Sequence, residues 1–149
     1  MVAPGDFSAR QVTGTTVAAM RVAMAQISST DDPSENLATL RAATQDAASR
    51  GGARLVVFPE ATMCRFGVPL KPVAEDLDGP WARGGCRRSR RRPGVTVVAG
   101  MFTPSNDGRV FNTVLVAHPD GARQAYDKLH LYDASGSASP RPSPPARSR

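Results

Sequence analysis

Leu55-Val56-Val57-Phe58-Pro59-Glu60 is the stretch on which the reading of this chain turns. Four consecutive apolar residues lie between Gly51-Gly52 and Pro59. A short unbroken apolar run bounded by such breakers fits a strand buried on both faces, as in a parallel sheet. Glu60 stands at the exit of that strand, with Pro59 stiffening the turn. Ligands of open α/β sheets bind outside the carboxyl ends of the strands. Shielding at such a mouth is expected to raise the carboxyl pKa, as a general base working near neutrality requires. The plain alternative is an ordinary exposed glutamate at a strand end.

Upstream, Arg21 to Ile27 reads as a first strand, with Val22 and Met24 alternating with polar or small neighbours. Asp32-Pro33-Ser34-Glu35 is a helix opening: Asp32 caps, Pro33 suits the first helical position, and Glu35 completes a capping box. Leu37, Leu40, Thr44 and Ala47 follow at helical spacing, and Gly51-Gly52 offers a left-handed stop. Strand, capped helix and buried strand make a βαβ unit, which implies a parallel pair. Residues 1–19 hold no sustained period and read as a disordered extension, with order starting near Met20.

Downstream, residues 61–80 read as a long loop broken by Pro69, Pro72 and Pro80. Gly94 to Met101 is a further buried strand. Val110 to Ala117 and Ala122 to Tyr126 read as strands around turn signals at Asn106-Asp107-Gly108 and Pro119-Asp120-Gly121. From Ser135 onward no apolar side chain exceeds alanine, so residues 135–149 are expected to form a disordered Ser/Pro/Arg tail.

A chain of 149 residues is long enough for one domain with a real core. No stretch approaches the ~20 apolar residues of a membrane span, and no signal-peptide pattern opens the chain. Cys64 and Cys86 make no disulfide framework and read as reduced cytoplasmic thiols. The formal net charge of +6 is a local property. Arg83, Arg87, Arg88, Arg90, Arg91, Arg92, Arg141, Arg147 and Arg149 fall in two segments; without them ten basic residues face 13 acidic ones.

Lys128, in Tyr126-Asp127-Lys128-Leu129-His130-Leu131, is one of two lysines, the other being Lys71. A compact ammonium suits a developing oxyanion, although a solvated lysine after a strand is the commoner case. His130 reads as a packed or hydrogen-bonded structural imidazole and His118 as a turn residue. Cys64, four residues after Glu60, reads as a loop or half-buried thiol rather than a nucleophile, since nothing around it directs it toward Glu60. Cys86, inside the arginine run, has the setting of a reactive thiol without a catalytic one.

Taken together, Val22-Ala23-Met24-Ala25-Gln26, Asn36-Leu37, Gly52-Ala53, Leu55 to Thr62, Gly79-Pro80-Trp81, Gly94 to Gly100, Phe111-Asn112-Thr113 and Tyr126 to Asp133 resemble, in order and spacing, the N-terminal half of a carbon-nitrogen hydrolase of the nitrilase superfamily, in its amidase-like branch. The resemblance covers residues 20–134. It implies an α/β fold, an α-β-β-α sandwich in truncated form, usually assembled as a homo-oligomer. It implies hydrolysis of a small amide or nitrile by a Glu-Lys-Cys triad through a thioester, with no metal or organic cofactor. Glu60 takes the place of the base and Lys128 that of the residue stabilising the tetrahedral intermediate. The family's cysteine follows the lysine, and no cysteine follows Cys86 here, so no nucleophile is expected in this chain.

The family pattern also leads to a helix between Trp81 and Gly94, where Gly84-Gly85 and the arginines stand instead. Residues 83–92 are therefore expected to be aberrant, and two frame disruptions, there and after residue 134, would account for the composition. The competing reading is a basic module for nucleic acid or acidic surfaces. It lacks aromatics among the arginines for base stacking, and its charges cluster where folded elements fail, so neither specific nucleic-acid binding nor membrane association is expected.

Overall fold

A computed structural model of the chain describes residues 19–85, 94–130 and 147–148. The elements run β1 (Val22–Met24), α1 (Pro33–Arg50), β2 (Leu55–Val57), α2 (Pro80–Gly85), β3 (Thr96–Pro104), β4 (Val110–Ala117), β5 (Arg123–Asp127) and β6 (Arg147–Ser148). They form one sheet in sequence order. β1, β2 and β3 are parallel neighbours, and β3, β4 and β5 form an antiparallel meander. The two-residue β6 pairs with β5. At Arg147–Ser148 this departs from the disordered tail expected of residues 135–149, because backbone pairing needs no apolar side chain. The rest of that tail, residues 1–18 and most of the arginine run lie outside the described residues.

Asp32 caps α1, its carboxylate accepting from the Ser34 backbone N–H at 2.7 Å. The expected capping box is rerouted through Thr30. Its hydroxyl accepts from the Asp32 N–H and donates to Glu35, so Glu35 does not reach the cap backbone itself. The left-handed residue at the other end is Gly52, with φ of 62°, and the Ala53 N–H returns to the Ala47 carbonyl. Between β3 and β4, Gly108 (φ 79°) closes the first hairpin turn; Gly121 (φ 97°) closes the second.

α2 is a short helix where the arginine-flanked glycines argued against one. Glu75 accepts from the Trp81 N–H at its start, and Arg41 of α1 donates to the Gly84 carbonyl. A Cβ on Gly84 would lie 2.6 Å from the Leu37 side chain, so the glycine allows α2 to approach α1.

The sheet has two unlike faces. On one, Ala23, Val56, Val97, Ala99, Met101, Leu115, Ala117 and Ala125 join Leu40 of α1 and Trp81 and Ala82 of α2 in a single core. On the other, Val22, Val114 and Tyr126 are exposed and Leu55 and Val57 only half-buried. This corrects two expectations. The Leu55–Phe58 run is not buried on both faces. Ala23 of β1 and Ala25 just after it pack against the core, while Met24 is 88% exposed. A run apolar at every position matches either facing, and only the placement of the helices chooses between them.

Candidate active site

The chain leaves β2 through Pro59 and passes over β3 at Gly100. The Gly100 N–H donates to the Pro59 carbonyl at 3.3 Å and the Met63 N–H to the Gly100 carbonyl at 3.1 Å. A Cβ on Gly100 would stand 1.5 Å from the Glu60 carbonyl oxygen, so only glycine permits this crossing. Thr62 turns its hydroxyl back onto the Pro59 carbonyl. The buried Asn36 amide reaches over from α1: its Nδ2 donates to the Met63 and Thr30 carbonyls, and its Oδ1 accepts from the Thr30 N–H. These bonds set the path of the loop that carries Glu60.

Two donors meet Glu60 Oε1: Lys128 Nζ at 2.6 Å and Asn112 Nδ2 at 2.7 Å. Asn112 lies within β4 and Lys128 one residue beyond β5, its N–H donating to the Asn112 carbonyl at 2.8 Å. Glu60 and Lys128, 68 residues apart in sequence, are thus brought into contact. The pair sits at the rim of the open sheet face, with side chains 48% and 39% exposed.

The electrostatics reverse the expectation for Glu60. Its carboxyl is held below the usual range by the Lys128 hydrogen bond first and the Asn112 bond second, with burial opposing weakly. The shielding expected to raise it is not provided by the described residues, and two donors on one oxygen prevail over modest desolvation.

Sequence reasoning missed Asn112 as a site residue. The family resemblance includes Phe111-Asn112-Thr113 and assigns the amide no role. The available signal was an asparagine inside a β-branched strand, where that residue type is depleted.

Cys64 is fully buried rather than half-buried. Its Sγ lies 3.6 Å from the Asp31 and Arg65 carbonyl oxygens, and burial pushes the thiol pKa up. Both features make it a poor nucleophile. His130 is exposed rather than packed. His118 lies in the β4–β5 turn as expected, accepting from the Gly121 N–H at its carbonyl. Cys86 lies outside the described residues. No helix among the described residues is long and apolar enough to cross a membrane.

A parallel βαβ start, an antiparallel continuation and a Glu–Lys pair at the sheet's rim define a class. The chain belongs to the carbon-nitrogen hydrolase family, whose model matches residues 21–148. A hydrolase of Mycobacterium tuberculosis is 53% identical over 131 residues, covering 86% of this chain and 46% of that protein. An (R)-stereoselective amidase of a Pseudomonas species is 32% identical over 121 residues, covering 79% and 43%. The crystal structure of a CN-hydrolase superfamily protein from Xanthomonas campestris, with an arsenic adduct in its active site, superposes with a TM-score of 0.65 at 32% identity, over 82% of this chain and 46% of that one. The fold is therefore nitrilase-like. The chain spans about half the length of the curated relatives it matches.

Proposed function

We propose that this chain carries the base and the oxyanion donor of a hydrolase for small amides, with nitriles as a second substrate class, and that it lacks the nucleophilic cysteine, which further polypeptide supplies. Without that thiol the chain does not turn over. The observation that carries the reading is the convergence of Lys128 and Asn112 on Glu60 Oε1. Family membership supports it.

In this reading Glu60 takes the thiol proton as sulfur bonds to the amide carbon. The carbonyl electrons move onto oxygen, where a Lys128 N–H meets the negative charge; an ammonium has three donors to offer. Collapse of the adduct breaks the C–N bond, and the leaving amine takes the proton from Glu60. Water then attacks the thioester and gives its proton to Glu60. The C–S bond then breaks, the sulfur takes the proton back from Glu60, and the acid departs with the thiol restored. A carboxylate held low by two donors is a weak base in the open pair. Covering the site would desolvate it and move its pKa toward the working range.

The test has two arms. The chain alone, assayed on simple amides and examined by mass for an acyl-thioester, is expected to show neither; turnover abolished by Cys64→Ala would overturn the assignment of the thiol. Fused to the C-terminal half of the mycobacterial relative, the chain is expected to turn over amides, with Glu60→Gln lowering kcat by about 100-fold or more. A fusion whose turnover ignores Glu60→Gln and Lys128→Met would overturn the site.

A further inference from the structure

Behind the Glu60–Lys128 pair, on the covered face of the sheet, lies a second polar row that the proposed chemistry does not use. Asp127 ends β5 and is 4% exposed; Thr113 of β4 and Thr103 of β3 are fully buried. Thr113 Oγ1 donates to Asp127 Oδ1 at 2.7 Å, and the Thr103 and Thr113 hydroxyls lie 2.8 Å apart. Thr113 has one hydroxyl proton and gives it to Asp127, so Thr103 is the donor between the two hydroxyls. The row runs Thr103 to Thr113 to Asp127 across three strands. A carboxylate and two hydroxyls among apolar neighbours are costly to bury, and aspartate is a poor strand residue.

The pleat relates this row to the site. Thr113 pairs with Met101 on one side and Asp127 on the other. One step along each strand, pointing to the opposite face, stand Asn112 and Lys128, the two donors on Glu60. A one-residue slip of β4 against β5 would turn one of them away from Glu60. The apolar pattern of β4 does little to prevent it, because Val114-Leu115-Val116 is apolar on both faces and Val114 and its neighbour Tyr126 are exposed. The hydroxyl–carboxylate row tolerates one register only.

We propose that Asp127 is a positioning residue for the active site, acting through Thr113 and Thr103 to hold the β3–β4–β5 register that aims Asn112 and Lys128 at Glu60. The proposal rests on the Glu60–Lys128 reading of the site and adds the device that assembles it.

The experiment follows the Glu60 carboxyl by carbon-detected NMR titration in the full 149-residue chain. Thr113→Val is the decisive variant, because it breaks the row without changing charge. It is expected to move the Glu60 titration up toward the ordinary glutamate range, by about half a pH unit or more. Thr113→Ser keeps the hydroxyl and is expected to titrate like the unaltered chain. Thr103→Val, which spares the Thr113–Asp127 bond, is expected to fall between them and serves where Thr113→Val does not fold. If Glu60 titrates unchanged in Thr113→Val, or in Thr103→Val where that variant stands in, the row is only structural and the proposal fails, even if thermal stability drops. If Lys128→Met also leaves Glu60 unmoved, the ion pair itself is absent, and the site reading fails together with this one.

Discussion

The two faces of the sheet carry similar residues and treat them differently. Leu115 and Val114 are neighbours on β4; the first is 1% exposed and the second 38%. Leu115 faces α1 and α2 with Ala99 and Ala125 beside it, while Val114 lies between Gly100 and Tyr126 on the open side. The covered face holds most of the core and the Thr103–Thr113–Asp127 row; Phe102, on the other face, is buried beneath the loop that carries Met63 and Phe66. The open face holds exposed valines, Met24, Tyr126 and, at its rim, the charged pair. Helices cover one side, and the Glu60–Lys128 pair lies at the rim of the other.

The largest test of this contrast uses those two neighbours. Leu115→Ala is expected to cost about 2–5 kcal/mol in urea unfolding, through lost burial and the cavity left behind. Val114→Ala is expected to stay within about 0.5 kcal/mol. Equal losses would mean that the open face is covered in solution.

Gly100 tests the point where the loop crosses the sheet. Gly100→Ala places a methyl against the Glu60 carbonyl, and a loss of about 1–3 kcal/mol is expected. It should also loosen the loop that carries Glu60, seen as loss of protection of the Met63 amide, which donates to the Gly100 carbonyl, in hydrogen exchange.

Met24→Lys combined with Tyr126→Lys sharpens the comparison from the other side. Exposed apolar sheet surface favours association. The double variant is expected to reduce self-association in sedimentation while changing stability by about 0.5 kcal/mol or less. Unchanged association would remove the open face as its cause.

The smallest effect concerns pH. The folded Glu60 pKa lies below its unfolded value near 4.5, so the pair's contribution is present above that pH and lost as pH falls through the folded value. Both side chains are well exposed, and the contribution is expected to be a few tenths of a kcal/mol. The stability gap between the unaltered chain and Lys128→Met should therefore shrink between neutral pH and roughly pH 3. A gap that widens toward low pH would contradict the pairing.

Much of the element order was legible because it rests on local chemistry. Asp32-Pro33 opens α1, Gly52 ends it, and Gly108 and Gly121 close the two hairpins, each through a backbone need that one residue type meets best. Glu60 and Lys128 were legible through the family pattern around them. Asn112 was not, because its partner lies 52 residues away and no local rule points to it.

What the sequence determined by itself is thus the order of β1, α1, β2, β3, β4 and β5, the turns between the last three, and the family pattern that singles out Glu60 and Lys128. The tertiary structure alone decided which face of each strand is buried, because Leu55-Val56-Val57 and Val114-Leu115-Val116 are apolar at every position and suit either facing. It alone decided that the Glu60 carboxyl is lowered and not raised. That sign depends on whether two donors or a covering layer reach the carboxylate, and it is set by contacts between residues distant in the chain.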